Sequence, residues 1–110
     1  MLVLGIETGI QGTRGIVLDL EAARVVFDTG EGLQTLAGLP DGHREQDPAQ
    51  WIASVDRVIR RCIEAVGDER ARLLAIGIAG PASGLVVLDA ENRIVRPTKV
   101  AGDRSAWRQA

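Results

Sequence analysis

The sequence predicts an α/β fold on a mixed sheet, with elements in the order β-β-β-α-β-β. Three observations predict it. Three short apolar runs joined by brief polar connections fill the first 27 residues. One strongly capped amphipathic segment runs from Asp47 to Gly67, and the continuous apolar run Leu73–Ile78 follows it. Strands joined by short connections pair antiparallel, whereas a helical crossover returns the next strand parallel.

Each element has its own signal. Leu2 to Ile6 is an apolar run of strand length, closed by Glu7-Thr8-Gly9-Ile10-Gln11-Gly12. Thr13 to Leu20 resumes it, with Ile16, Val17, Leu18 and Leu20 apolar and Asp19 expected on the opposite side. Glu21-Ala22-Ala23 is a turn, and Arg24 to Phe27 a third strand. From Asp28 to Gln46 the chain is polar and Gly-rich, which predicts a long loop with a short extended piece at Leu33–Leu36 and a turn at Pro40-Asp41-Gly42. Asp47 is an N-cap, Pro48 fits N1, and Gln50 stands at N3 to complete a capping box. Trp51, Ile52, Val55, Val58, Ile59, Cys62, Ile63 and Val66 recur at helical spacing, and Gly67 ends the helix. Leu73–Ile78 predicts a strand buried on both faces, in a central parallel position. Leu85–Leu88 is a further strand and Ile94-Val95 a short return, with Asp89–Asn92 between them. From Pro97 the chain leaves the sheet, and Arg104–Ala110 reads as the start of a helix. A three-stranded meander, a crossover helix and a parallel strand are the pattern of a ribonuclease-H-like (actin-like ATPase) half-domain.

Composition bounds the function. At 110 residues the chain is one domain or part of one. Hydrophobic residues at 45% exclude a disordered chain, and aromatics at 3% leave the core to Leu, Ile, Val and Ala. The net charge of −2 is interspersed without a basic face, so nucleic acid is not an expected partner. No apolar run approaches the roughly 20 residues of a membrane span. The Met1–Gly5 start lacks a basic region, which speaks against a signal peptide. Cys62 is alone, so an internal disulfide is excluded and a reducing, cytoplasmic setting is expected.

The bend from Glu7 to Arg14 carries the chemistry. A Gly-bearing hairpin can turn backbone amides inward to make an anion site, or it can be a plain hairpin with glycines where the backbone needs them. A carboxylate at its edge can hold Mg²⁺ through water, and Arg14 can add a charge-assisted contact to a phosphate. Asp47 is explained by its capping role rather than as a catalytic acid. His43, the only histidine, lies in a polar loop without a second metal ligand in view. Cys62 is expected to be an inert core thiol, Trp51 core or rim, and Trp107 exposed.

Four segments in register carry a resemblance. Leu4–Arg14 resembles the first phosphate motif of the FGGY carbohydrate kinases, G-I-D-x-G-T-x-x-x-[RK]. Glu45-Gln46-Asp47-Pro48 with Trp51 resembles that family's E-Q-D-P-x-x-W. Ala75–Gly80 with Gly84–Asp89 resembles A-I-G-I-S-G-Q-x-H-G-L-V-L-L-D, and Arg96-Pro97 with Asp103-Arg104 resembles R-P-A-I-L-W-N-D-x-R. The spacing is most similar to the xylulokinase branch. The resemblance implies that residues 1–110 are the N-terminal part of the first of two actin-like domains. It implies ATP and Mg²⁺ as cofactors, a sugar or polyol as small-molecule partner, and a C-terminal kinase domain that holds the adenosine and the catalytic Asp. No catalytic residue then lies in this chain, and the chain alone is expected to be inactive. Phosphate or ATP contacts fall on Glu7, Gly9, Ile10, Gln11, Gly12, Thr13 and Arg14, sugar contacts on Ala82, Ser83 and Asp103, and a metal contact on Glu7. The chain departs from the pattern at Glu7 for Asp, Ile10 for Thr, Pro81 and Ser83 for Gln and His, and Ala101-Gly102 for Trp-Asn. Three readings follow: a piece of a sugar kinase, a non-catalytic actin-like binding or regulatory module, or a fragment with no role of its own. The end at Trp107–Ala110 favours a truncated chain.

Overall fold

The computed structural model describes residues 1–108. Strands β1 (Leu2–Thr8), β2 (Gly12–Asp19) and β3 (Arg24–Gly32) form the expected antiparallel meander. After β4 (Glu45–Gln46) come helix α1 (Pro48–Val66), a 3₁₀ segment (Gly67–Arg72) and β5 (Leu73–Ala79). The main sheet runs β3-β2-β1-β5, with β5 parallel to β1 as the crossover requires. A second, two-stranded sheet pairs β4 with β6 (Thr98–Lys99).

Helix α1 starts where its caps dictate. The Asp47 carboxylate accepts the Ala49 N–H at 2.9 Å, and Pro48 occupies the first turn. The Gln50 side chain does not return the bond to the cap among the described residues, so the capping box is half made. The helix lies on the face of β1 and β2 presented by Leu2, Leu4, Ile6 and Val17, which it covers with Val58, Cys62 and Val66. It seats closely because β2 has Gly15 beneath it. A Cβ there would lie 2.5 Å from Val58 Cγ1 and 2.9 Å from Cys62 Sγ. Seating on this line turns Ile52 and Ile63 outward and brings Ser54 fully inside, a residue that apolar periodicity does not flag.

Several expectations change. β3 continues through Asp28–Gly32, where a loop was expected, because Gly30 and, on the facing strand, Gly12 let it hug β2: a Cβ on Gly30 would stand 3.1 Å from the Thr13 carbonyl. Asp19 points to the helix side with Val17, not away from it; buried there, its carboxylate accepts the Glu21 and Ala22 amides at 3.1 and 3.2 Å and Arg72 Nη2 at 3.0 Å. β5 is an edge rather than a central strand. Leu74, Ile76 and Ile78 are 68%, 53% and 69% exposed, since α1 covers the β1, β2 and β3 side of the same face and stops short of β5. Leu85–Leu88 and Ile94-Val95 form no ladder: one bridge joins Leu88 to Ile94, and the Val95 N–H donates to the Val87 carbonyl. Thr98-Lys99 re-enters sheet structure in β6, although the chain was expected to have left it at Pro97. Ser105–Arg108 is turn rather than helix, and the last two residues of the expected helix lie outside the described ones. Trp107 is exposed, as expected. The radius of gyration, 17.0 Å, exceeds the roughly 13 Å of a closed domain of this length, as a sheet with one covered face and an open edge requires.

Two outcomes test this packing. Gly15→Ala should cost about 1–3 kcal/mol in chemical denaturation, whereas Gly77→Ala, whose Cβ would meet nothing within 4 Å, should change stability by less than about 0.5 kcal/mol. Equal effects would contradict the close seating of α1. The Asp19 carboxyl is held below its ordinary range, chiefly by the Ala22 N–H and further by the Glu21 N–H and Arg72. A depressed carboxyl stabilises the fold fully above its unfolded pKa of about 3.9 and loses that contribution as pH falls through the folded value. Melting temperature should therefore drop on acidification below about pH 4, less steeply in Asp19→Asn; an unchanged slope in that variant would contradict the assignment.

Candidate functional site

The bend between β1 and β2 ties down three of its carbonyls, those of Ile10, Gln11 and Gly12, and leaves two of its amides over. The Gly12 carbonyl accepts the Gly9 N–H at 2.8 Å, and the Gln11 carbonyl accepts the Leu33 N–H at 3.0 Å. The Ile10 carbonyl accepts Gln46 Nε2 at 2.6 Å. Among the described residues, the N–H groups of Ile10 and Gln11 make no hydrogen bond to the protein. Two free amides beside three engaged carbonyls present a positive lip, which suits an anion. Gly12 has no room for a side chain: a Cβ would stand 2.4 Å from the Glu31 carbonyl oxygen.

Gln46 is the support of this bend. It is buried, and while its amide nitrogen holds Ile10, its Oε1 accepts the Trp51 indole N–H at 2.9 Å. One side chain thus joins the bend, β4 and the first turn of α1. A second tie runs through hydroxyls, from Thr8 to Thr13 at 2.8 Å and from Thr13 to Ser54 at 2.5 Å, ending where Ser54 donates to the Trp51 carbonyl at 2.9 Å.

The bend opens onto a cleft of about 510 Å³. Glu7, Gly9, Ile10, Gln11, Gly12 and Arg14 form one wall, and Pro81, Ala82, Ser83, Ala101 and Arg44 the rest. The structure thus brings together most of the residues expected for phosphate and sugar contacts. Thr13 is apart from them: it is buried beneath the bend, its hydroxyl committed to Thr8 and Ser54. Arg14 is engaged as well, holding Asp28 through two guanidinium bonds, the Nε one at 2.9 Å; Asp28 in return is held below the usual carboxylate range.

Asp103 lies in a neighbouring cavity of about 710 Å³, with Asp41, His43 and Arg104–Trp107. Its carboxylate accepts the Arg44 N–H at 2.7 Å, the Ser105 N–H at 3.0 Å and the Ser105 hydroxyl at 2.5 Å, with Lys99 Nζ at 3.4 Å. The Arg44 amide, more than any other group, holds this carboxyl far below its ordinary range. His43 does have potential co-ligands, contrary to the reading of its loop: donor atoms of His43, Glu45 and Asp103 lie within 4.8 Å of one another. A cation already serves them, however. Lys99 Nζ stands 3.1 Å from Glu45 and 3.4 Å from Asp103, and Arg96 adds a bond to Glu45 at 2.7 Å. The burial of Cys62 raises its thiol pKa, as an inert core thiol requires.

Sequence reading missed Gln46 as a support, Arg44 as a lining residue, and the Glu45–Lys99 pair. Only the string Glu45-Gln46-Asp47-Pro48 signalled the first. Its two leading residues form a strand too short for periodicity to show, paired with a segment more than 50 residues away.

Comparison with known proteins agrees with this geometry. Residues 2–109 match the FGGY family of carbohydrate kinases, N-terminal domain. A xylulose kinase of Streptomyces rubiginosus is 36% identical over 106 residues, covering 96% of this chain and 21% of the relative. That of Escherichia coli is 35% identical over 104 residues, 93% of this chain and 20% of the relative. The chain therefore spans about a fifth of the length of the curated relatives it matches. Among solved structures, a xylulose kinase from Brucella ovis superposes with a TM-score of 0.88 at 33% identity, over 100% of this chain and 23% of that one. A Plasmodium falciparum glycerol kinase, at 17% identity and a TM-score of 0.81 over 98% of this chain and 22% of that one, shares the fold. The chain belongs to the FGGY family of carbohydrate kinases, whose N-terminal domain it matches over residues 2–109.

Proposed function

We propose that this chain is the N-terminal part of the first domain of an ATP-dependent sugar kinase, and that it supplies one wall of the catalytic cleft. The complete protein would transfer the γ-phosphoryl group of ATP to a hydroxyl of a ketose or polyol. The observation that carries the reading is the bend itself, whose Ile10, Gln11 and Gly12 carbonyls are tied back and whose Ile10 and Gln11 amides, among the described residues, face no protein acceptor. Such a lip receives phosphate oxygens without a side chain. Glu7 is the carboxylate lining the same cleft, and Mg²⁺ binds through one or two carboxylates, waters and substrate phosphates. Glu7 is therefore the residue that would hold the metal, whose role is to neutralise charge on the phosphates. Ala82 and Ser83 on the facing wall would line the sugar side, and Asp103, one cavity away, would shape that wall through the Arg44 backbone.

Phosphoryl transfer relies on positioning and electrostatic stabilisation from both sides of a cleft. A chain that spans a fifth of its relatives offers one side. The bare Leu74, Ile76 and Ile78 side chains suit burial under the remainder of a longer kinase. A cytoplasmic setting goes with this reading, in keeping with the single cysteine; among the described residues no helix is long and apolar enough to cross a membrane.

The 110-residue chain should show no turnover of ATP with D-xylulose or glycerol. Sodium tripolyphosphate, titrated into the ¹⁵N-labelled chain, should move the Ile10 and Gln11 amide resonances first and furthest. A rate above background that Gly9→Val abolishes, or shifts that spare the bend and cluster elsewhere, would overturn the reading.

A further inference from the structure

Arg44 is the charged residue of the cleft that the phosphate reading does not use. Its backbone is fixed on both sides: its N–H donates to Asp103 Oδ2 at 2.7 Å, and its carbonyl accepts the Val100 N–H at 3.0 Å. The side chain leaves this anchored point to line the cleft, with one long bond from Nη1 to the Ala101 carbonyl at 3.3 Å. Among the described residues no carboxylate lies within 4.0 Å of its guanidinium.

Two features keep it there. The chain passes Gly102 with φ near +90°, a conformation glycine adopts freely. A Cβ on Gly102 would stand 3.2 Å from Arg44 Nη1 and 3.6 Å from Cδ, so the arginine lies directly along this glycine. The small pair Ala101-Gly102 is thus what gives the guanidinium its place. The other charges of the cleft do not satisfy it. Arg14 is neutralised by Asp28. Glu7 lies at the border between this cleft and the groove over Gly5, Ile16 and Gly77, and makes no ion pair with Arg44. The result is a solvent-exposed cation that lines the same cleft as the phosphate lip, with most of its five N–H donors free of protein acceptors among the described residues.

We infer that Arg44 forms an oxyanion subsite in this cleft and that the sugar side takes a polyol carrying a carboxylate in preference to its neutral counterpart. Guanidinium and carboxylate match as planar, two-point partners, and such charge-assisted bonds exceed those to a hydroxyl. This deepens the kinase reading and rests on it, since it names the substrate class of the same cleft.

D-Gluconate and D-glucitol test it, because they differ only in a carboxylate against a hydroxymethyl at one end. Each is titrated at constant ionic strength into the ¹⁵N-labelled chain, following the Arg44 Nε–Hε resonance and the Ala82 and Ser83 amides. Gluconate should half-saturate at a concentration lower than glucitol on the order of tenfold. Arg44→Gln should erase that difference while leaving the tripolyphosphate shifts at Ile10 and Gln11 in place. Equal half-saturation by the two polyols would overturn the carboxylate subsite and leave the kinase cleft standing. A gluconate preference surviving in Arg44→Gln would overturn the role of Arg44. Inorganic phosphate displacing gluconate from Arg44 at much lower concentration would show a phosphate subsite instead. Absence of shifts with both polyols, alongside unmoved bend amides with tripolyphosphate, would sink the inference and the kinase reading together.

Discussion

A single buried amide connects what this chain folds with what it offers a ligand. Gln46 donates to the Ile10 carbonyl and accepts from the Trp51 indole, so the bend is held by the same side chain that steadies the first turn of α1. A hairpin tip with free carbonyls and amides has no preferred charge, and solvent would serve both. Drawing the Ile10, Gln11 and Gly12 carbonyls inward by Gln46, Leu33 and Gly9 leaves the Ile10 and Gln11 donors over, an arrangement that favours anions. Glutamine suits this because its side chain carries donor and acceptor together. A buried residue offering only one would leave Ile10 or Trp51 unsatisfied, at a cost of about 1–3 kcal/mol.

The rest of the architecture serves to bring α1 within reach. Gly15 removes a side chain that would hold the helix off β2, and Val58 and Cys62 fill the space. The hydroxyl chain Thr8–Thr13–Ser54 runs in the same gap, so polar and apolar contacts fix the same separation. Glu31 adds an outer clasp, bonded to Arg57 at 2.5 Å and Arg61 at 3.1 Å on successive turns of the helix, which holds its carboxyl below the ordinary range. Exposed pairs of this kind contribute little singly, but here they close the edge of β3 over α1.

Much of this was legible in the sequence, for reasons that are local. The meander follows from short turns, and the start of α1 from Asp47 and Pro48. The parallel return of β5 follows from the helical crossover. What failed was whatever depended on partners outside the local window. A continuous apolar run such as Leu73–Ile78 reports burial in a completed sheet, not in which strands a given chain supplies. Asp19 read as outward because it is charged, yet its burial is made tolerable by two backbone amides and Arg72, none of which periodicity weighs. The site divided the same way. Glu7, the glycines and Arg14 belong to one continuous motif, so their place along one cleft follows from adjacent positions in the chain. Arg44, Gln46 and Lys99 act through β4 and β6, whose pairing joins segments that no short-range pattern relates.

Amide hydrogen exchange across the bend tests the central claim most directly. With Gln46 intact, the Gly9 and Leu33 amides, which close the bend, should exchange at rates close to those of the β1–β2 ladder. In Gln46→Leu the account predicts that both lose protection by an order of magnitude or more while the Val17 and Cys62 amides keep theirs. Unchanged protection at Gly9 and Leu33 in a folded variant would mean that the bend holds itself, and that Gln46 is merely packed beside it.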